Sequence, residues 1–432
     1  MTIRKTSIIM AGILSLAALR GYAAAPQAPT TDSLVTKYAA VVSKNPGNGN
    51  AWVDFGDILM QKGRETADAA YCTRAEAAYR EALKIDPKKL DGLIGMAWVN
   101  GVRHEFEASI EWARKALAVD AQNQAAFGLI GDAAVEMGDY DGAFQQYQKM
   151  LDSRPDLSSY SRSAHLLQVT GDSRRATWLM SKAIDTGSPF GENTAWCRSQ
   201  LALIYFQQGA YMPAEQILTE GLARVPNDYR LLAAMGKVKA AMKNYDAAID
   251  SYRKSIAIAP QQDVVAALGD VLAVAGHQAE ADKEYAMVET IARLNKANGI
   301  KGDMLTARFY ADHDTHLAQA LKMAEEEYAT RKNVYQADTL AWCLFKNGRV
   351  EEARKMIRVA LSRHTPEAMF YFHQGVIEAK AGDKGAAQIA FYTASSLSPS
   401  FDVIEAPMAN KIMADLGSKP PSSAAAGIVS TN

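Results

Sequence analysis

The segment "YADHDTH", Tyr310 to His316, concentrates side chains that can bind a metal ion. Asp312, His313, Asp314 and His316 fall within five residues, and carboxylates and imidazoles are common ligands of zinc and other divalent ions. A metal centre in an enzyme is one interpretation of this segment. A solvated turn between two helices is the other, because polar side chains there satisfy free backbone groups at helix ends.

The residues around this segment depart from the common metal-binding motifs. A calcium loop that began at Asp312 would need Gly where Leu317 stands and Glu where Met323 stands. A zinc-protease helix requires His-Glu-x-x-His, which the sequence lacks. We therefore favour the turn, with Asp314 or Thr315 as the N-cap of the following helix. The four acidic and histidine residues remain weak metal-ligand candidates, and the sequence predicts no cofactor.

Other motifs of catalysis are absent from the sequence. It contains no Gly-x-Ser-x-Gly elbow, no phosphate-binding Gly-x-x-x-x-Gly-Lys-Ser/Thr loop, no Gly-x-Gly-x-x-Gly fingerprint and no Cys-x-x-Cys pair. The acidic run from Glu325 to Glu327 is typical of a solvated helix face. These observations favour a protein that is not an enzyme.

The balance of basic and acidic residues bears on the kind of binding partner. The chain has 47 Lys and Arg against 48 Asp and Glu, so neither a nucleic acid nor an anionic membrane is expected as the main partner. Cys197 and Cys343 each follow a Trp in a helical pattern and are interpreted as small buried residues. Cys72 lies near an insertion and is expected to be more exposed. We predict no disulfide.

The first residues have the pattern of a signal peptide. Arg4 and Lys5 precede an apolar stretch, Thr6 to Leu19, that is short for a membrane span, and small residues follow it. The sequence therefore predicts cleavage after Ala23 or Ala24 and an exported mature protein, periplasmic or extracellular. No other stretch is long and apolar enough to form a stable membrane span in the mature protein.

A repeated pattern of helical hairpins must position all of these residues. Gly131 to Pro155, Ala202 to Pro226 and Gly236 to Pro260 can be laid over one another, and Pro226 and Pro260 lie 34 residues apart. Small residues at one position let two helices approach closely, large residues fill the gap, and prolines end the second helix. The small residues are Gly131, Gly236, Gly269 and Gly375; the large ones are Tyr147, Tyr252, Tyr285 and Phe391; the prolines are Pro155, Pro226, Pro260 and Pro399.

This pattern resembles the tetratricopeptide repeat (TPR) family, and successive units from Ala266 to Ala353 look like those of exported bacterial TPR proteins. The resemblance implies an all-α, right-handed α-α superhelix of about ten helix-turn-helix repeats with capping helices. We expect the following organisation: signal peptide, 1–24; linker and N-terminal capping helix, 25–48; N-terminal arm of repeats, 49–190; C-terminal arm, 191–400; C-terminal cap, 401–416; disordered tail, 417–432.

The resemblance also points to a surface. In TPR proteins the first helix of each unit lines a concave groove that binds peptide or protein segments. Extrapolating the register places these side chains there: Trp98, Asp132, Trp196, Phe206, Lys237, Tyr335, Trp342 and Phe345. Burial between hairpins is the alternative for Trp196 and Trp342. TPR domains that clamp chaperone C-termini use Lys and Asn, whereas the corresponding positions here carry Asp57, Asp132 and Asp270, which favours a basic or neutral partner.

Together these observations predict a non-enzymatic scaffold that holds a protein or peptide in its concave groove. Two alternatives stay open. One is a metal-dependent or glycan-acting enzyme that uses Asp312 to His316, and the other is a structural subunit of an envelope assembly.

Overall fold

The computed structural model describes residues 30–187, 191–297 and 304–417. The predicted signal peptide lies outside these residues, as do all but the first residue of the predicted tail and residues 188–190 of the segment "GSPFGEN". Within the described part of the chain, no helix has the length and hydrophobicity that a bilayer span requires.

The described residues form twenty-two α-helices and one short 3-10 helix, with no strand among them. The N-terminal half contains α1 Thr31–Lys44, α2 Gly49–Thr66, α3 Ala69–Ile85, α4 Leu90–Val102, α5 Phe106–Val119, α6 Gln124–Met137, α7 Tyr140–Ser153, α8 Leu157–Val169, α9 Ser173–Thr186, α10 Gly191–Gln207 and α11 Tyr211–Arg224. The C-terminal half contains α12 Tyr229–Ala241, α13 Tyr245–Ile258, α14 Gln262–Val274, α15 Gln278–Ala297, α16 Met304–Asp312, α17 Leu317–Thr330, α18 Val334–Lys346, α19 Val350–Ala360, α20 Ala368–Lys380, α21 Lys384–Leu397 and α22 Glu405–Asp415.

These helices pair into ten hairpins, α2 with α3 through α20 with α21, and each hairpin stacks on the next. Helix α1 packs on the first hairpin and α22 on the last. The even-numbered helix of a hairpin is its first helix and the odd-numbered one its second. First helices of successive hairpins contact each other more closely than second helices do, so the stack curves with its first helices inside. The predicted all-α superhelix is confirmed.

The predicted prolines end second helices as expected. Helix α13 stops at Ile258, and Ala259 adopts an extended conformation with φ −147° and ψ 104° before Pro260. Arg154 before Pro155 and Ser398 before Pro399 do the same. A proline disfavours the α conformation of the residue that precedes it, so these residues end each repeat at the same place.

Glycines on first helices make room for aromatic rings from second helices. A Cβ atom at Gly131 would lie 2.3 Å from Cε1 of Tyr147, and one at Gly236 would lie 2.6 Å from the ring of Tyr252. Gly269 with Tyr285 and Gly375 with Phe391 repeat this contact. Because such distances exclude any side chain at the glycine, the small-and-large pairing inferred from the repeat sets how closely the two helices of a hairpin pack.

The superhelix closes on itself. The carboxylate of Glu192, at the start of α10, accepts hydrogen bonds from Arg64 Nε at 3.2 Å and Gln61 Nε2 at 3.4 Å, both on α2. The first helices α2, α4, α6, α8 and α10 therefore form a ring. Chain segments 192 to 197 residues apart also meet, so that the next turn of the superhelix rests on the first.

Three sets of hydrogen bonds join the two turns. Val334 N donates to the Tyr140 hydroxyl at 2.9 Å, Thr365 Oγ1 donates to the carbonyl of Val169 at 2.5 Å, and Ser398 Oγ donates to the carbonyl of Phe206 at 2.9 Å. The start of α7 and the ends of α8 and α10, in the third to fifth hairpins, thus contact the start of α18, the chain just before α20 and the chain just after α21. The predicted N-terminal and C-terminal arms touch along this line.

Candidate functional site: the cavity inside the ring of first helices

A tyrosine from the second helix reaches the inner face of the superhelix in three hairpins. Each tyrosine ring passes over the glycine of the first helix, and its hydroxyl donates to the aspartate that follows that glycine. The three bonds are Tyr79 to Asp57 at 2.7 Å, Tyr147 to Asp132 at 2.8 Å and Tyr285 to Asp270 at 2.9 Å. A Gly-Asp pair followed by a Tyr 15 to 22 residues after the Asp is the sequence signal for this arrangement. It fixes carboxylates on the concave face.

The ring of first helices encloses a cavity of about 560 Å³. Side chains from α1, α2, α4, α6, α8 and α10 line it, among them Tyr38, Asp57, Trp98, Arg162 and Asn193. The indole of Trp98 forms an apolar wall, and the Arg64 guanidinium stacks on it at 4.7 Å from the ring centroid. Aromatic and polar side chains therefore converge on one concave site, as they do in ligand pockets.

The cations at this cavity are already neutralised, whereas its acids are not. Arg64 pairs with Glu192, and Arg162 Nε donates to Asp132 at 2.8 Å. Asp57 receives only the hydroxyl of Tyr79, and no ion pair to Asp57 or Asp54 is found among the described residues. Burial by the surrounding protein, with Asp91 and Asp54 nearby, raises the pKa of Asp57 to about 6 despite the Tyr79 hydrogen bond. The free charge at this site is negative.

The predicted groove residues divide into a reachable and a buried group. Trp98, Asp132, Trp196, Tyr335 and Phe345 are partly buried, and Lys237 is exposed, with its Nζ 4.9 Å from the centroid of the Phe206 ring. Of these, Trp98 lines the cavity, Trp196 packs beside the core of α8 to α10, and Tyr335 makes an edge contact with Phe370.

Two of the predicted groove residues, Phe206 and Trp342, are instead inside the protein. Each is 3% exposed. Phe206 lies where Ser398 and Tyr211 of the turn-to-turn contact pack, and Trp342 stacks on His373 at 4.2 Å between ring centroids. The repeat register placed both on the inner face of their helices. It did not show that the core of α10 to α12 surrounds Phe206, or that His373 of the next first helix covers Trp342.

The segment Asp312 to His316 forms the turn between α16 and α17, but its four candidate ligands point to different places. His313 Nε2 lies 2.9 Å from Asp270 Oδ1, Asp314 accepts from Lys346 at 2.8 Å, and His316 Nε2 is 3.7 Å from Glu289. They do not converge on one ion. The N-cap position belongs to His316, in the left-handed region with φ 46°, rather than to Asp314 or Thr315, and its side chain makes no capping bond.

The neighbouring carboxylate of Asp270 determines the direction in which the pKa of His313 shifts. Burial lowers the pKa of His313, but the hydrogen bond and charge of Asp270 outweigh it and leave the pKa raised. The imidazole also lies between two aromatic rings, 4.3 Å between centroids from Phe309 in a tilted contact and 4.7 Å from Tyr285 in an edge contact. His313 thus holds Asp270 in place and is half hidden from solvent.

Asp312, in contrast, turns toward other first helices. It accepts from Arg308 Nε at 2.9 Å and from the indole N–H of Trp342 at 2.8 Å. One oxygen of Asp312, one of Glu405 and a ring nitrogen of His373 all lie within 4.8 Å of one another. Neither His373 nor Glu405 was singled out in the sequence, because each stands alone in an apolar helix pattern far from Asp312 along the chain.

The closed stack of helical hairpins, with an aromatic and acidic cavity on its inner face, places this protein in the class of helical-repeat proteins. Models of the tetratricopeptide repeat match residues 35–88, 97–158, 339–400 and 229–262. The chain therefore belongs to the tetratricopeptide repeat family. Proteins of this family are generally non-enzymatic scaffolds that bind other proteins.

Solved structures similar to this chain include a tetratricopeptide repeat protein from Parabacteroides merdae, with 18% identity, 53% of this chain and 86% of that chain covered, and a TM-score of 0.40. The Cut9–Hcn1 hetero-tetramer of the APC/C matches with 14% identity, 89% and 87% coverage, and a TM-score of 0.45. Yeast Tom70 matches with 13% identity, 90% and 92% coverage, and a TM-score of 0.39. The search of curated proteins found no match.

Proposed function

We propose that this protein is a non-enzymatic scaffold whose inner cavity binds an extended protein segment carrying a Lys or Arg beside an apolar residue. The observation that carries the proposal is the combination of the Trp98 wall with the unpaired carboxylates of Asp54 and Asp57 in one cavity. Aromatic side chains in concave sites are typical anchors of protein recognition. The unpaired negative charge selects a cationic partner side chain.

The shape of the ring favours an extended segment over a helix. Because the contact of Glu192 with Gln61 and Arg64 closes the ring laterally, a bulky element cannot enter from the side. A narrow chain end or loop tip that enters along the axis fits this site.

We also propose that the mature protein works outside the cytoplasm. The basic start at Arg4 and Lys5, the short apolar stretch that follows and the small residues near Ala24 support export. Mass spectrometry of the N-terminal peptide from the protein's native source tests this. Cleavage after Ala23 or Ala24 is expected, and an intact N-terminus on the folded protein would refute export by this route.

Selection from a random nine-residue peptide display library tests the binding proposal. The bait is the chain from residue 25 to 432. Selected peptides are expected to share a Lys or Arg with an adjacent apolar residue. Trp98→Ala is expected to weaken the best peptide at least tenfold, about 1.4 kcal/mol, because it removes the apolar wall. Asp57→Asn is expected to reduce the preference for the basic residue.

Trp178→Ala is the matched control, because Trp178 is 58% exposed on the second helix α9 and lies away from the cavity. It should leave peptide affinity unchanged. Failure to enrich any peptide, or equal losses in Trp98→Ala and Trp178→Ala, would exclude the cavity as the binding site.

A further inference from the structure

Five polar side chains from three first helices and the capping helix meet near the C-terminal end of the superhelix. Arg308 and Asp312 come from α16, Asp338 from α18, His373 from α20, and Glu405 is the first residue of the capping helix α22. Their carboxylates outnumber the single guanidinium by three to one. With His373 neutral and all three carboxylates ionised, the formal charge of the cluster is −2.

His373 is oriented as metal-binding histidines are. It is fully buried, and its Nδ1 lies 2.8 Å from Asp338 Oδ1. Since a carboxylate only accepts, Nδ1 carries the proton and Nε2 keeps its lone pair. Nε2 faces Arg308 Nη2 at 3.3 Å and Glu405 Oε1 at 4.0 Å. A carboxylate that holds the far nitrogen of a histidine is the usual second partner of a metal-bound imidazole.

Glu405 supplies an oxygen that lacks a partner. The residue is 8% exposed, and no atom of the described residues forms a hydrogen bond with its Oε2. An unsatisfied buried polar atom in a folded protein calls for a ligand, a water or an ion. The carboxylate of Asp312 lies on the solvent side of the cluster, 28% exposed, so an ion can reach it from the inner face of the superhelix.

We propose that Asp312, His373 and Glu405 bind one zinc ion. One imidazole nitrogen with two carboxylate oxygens matches zinc, and the ion's two charges balance the −2 of the cluster. Tetrahedral bonds of about 2.0–2.2 Å place zinc ligands roughly 3.4 Å apart, so the three donors, now within 4.8 Å, draw together by about 1 Å. Solvent completes the coordination beside Asp312.

Zinc would replace Arg308 Nη2 beside Nε2 of His373, and Arg308 would keep its other partners. Its Nη1 donates to Asp338 Oδ2 at 2.9 Å, and this contact is separate from the one that zinc replaces. The ion then ties the capping helix α22 to α16 and α20, because one ligand comes from each. The site is structural: it fastens the end of the solenoid and is separate from the N-terminal cavity.

Zinc titration of the full chain, purified in chelator, tests this inference. Isothermal titration should give one zinc per chain with a Kd below 10 µM, and thermal unfolding should shift upward with added zinc. Glu405→Gln, which preserves the shape of the side chain, should abolish both effects. Asp338→Asn should weaken zinc binding by about 10- to 100-fold, because Asp338 positions His373 without touching the ion.

The double variant Asp314→Asn, His316→Gln is the matched control, since it removes an acid and a histidine from the same turn but outside the cluster. It should bind zinc as the wild type does. No stoichiometric zinc binding, binding of Ca²⁺ or Mg²⁺ in preference to zinc, or undiminished zinc binding by Glu405→Gln would each overturn the proposal. Circular dichroism of each variant without metal establishes that it folds.

Discussion

Replacing Gly131 by Ala should destabilise the third hairpin, although alanine is the better helix former. The added Cβ would lie 2.3 Å from Cε1 and 2.7 Å from Cδ1 of Tyr147. The ring of Tyr147 is 3% exposed, and its hydroxyl is held by Asp132 at 2.8 Å, so it cannot move aside without losing that bond.

Two destabilising contributions and one stabilising contribution set the change in the free energy of unfolding. Forcing an extra methyl group into a packed core costs about 1–3 kcal/mol. Breaking the Tyr147 hydrogen bond to the Asp132 carboxylate costs about 1.5–3 kcal/mol. Alanine gains about 1 kcal/mol over glycine in a helix. The free energy of unfolding of this part of the chain should therefore fall by roughly 1.5–5 kcal/mol.

Hydrogen exchange followed by mass spectrometry measures this locally, which suits a repeat protein whose units need not unfold together. Peptides from α6 and α7 should lose protection in Gly131→Ala. Gly101→Ala is the control, because a Cβ there meets only Ser109 Oγ at 3.6 Å, and it should be neutral or stabilising. Equal behaviour of the two variants would show that the glycine-and-tyrosine contact does not set the hairpin geometry.

Three further outcomes are expected. Tyr140→Phe should lower the free energy of unfolding by about 1–3 kcal/mol, measured by urea denaturation, because it leaves the buried Val334 N–H between the two turns without an acceptor; an unchanged midpoint would contradict this. Peptide affinity should fall as the pH drops through about 6, because protonation removes the negative charge of Asp57; Asp57→Asn should flatten that profile in titrations from pH 5 to 8. Cys197 and Cys343 should resist thiol reagents at pH 8 until the protein unfolds, since burial raises both pKa values to about 12; rapid labelling of the native protein would argue against their burial.

The fold could be predicted from the sequence because the signals for it are local and repeat many times. Gly131 and Tyr147, or Gly375 and Phe391, lie within one hairpin, and prolines such as Pro260 act on the preceding residue. The same local rules placed Asp312 to His316 in a turn. Repetition turns a weak pattern into a specific one.

The closure of the superhelix has no such local signal. Tyr140 meets Val334 and Glu192 meets Gln61 only because small rotations between hairpins accumulate over several repeats. The repeat register also placed Phe206 on an open groove, whereas its side chain is 3% exposed in the core of α10 to α12. Cys72, expected near an exposed insertion, is 7% exposed because the insertion lengthens α2 and α3, on which Cys72 lies, rather than forming a long loop.

The polar cluster at Glu405 was hidden for a related reason. Its members come from four helices that span residues 308 to 405, and each is a single polar side chain in an otherwise ordinary repeat. Spacing along the chain does not reveal a site that is assembled by stacking. The N-terminal cavity was partly foreseen, since Trp98 and Asp57 were placed on the concave face, but the ring that encloses it was not.

Site-specific photo-crosslinking tests the central claim most directly. A photoreactive phenylalanine replaces Trp98 in one variant and Trp178 in another, and each is irradiated with the best peptide from the display selection. A crosslink is expected from position 98 and none from position 178. A crosslink from position 178 alone, or from both positions equally, would contradict binding in the cavity.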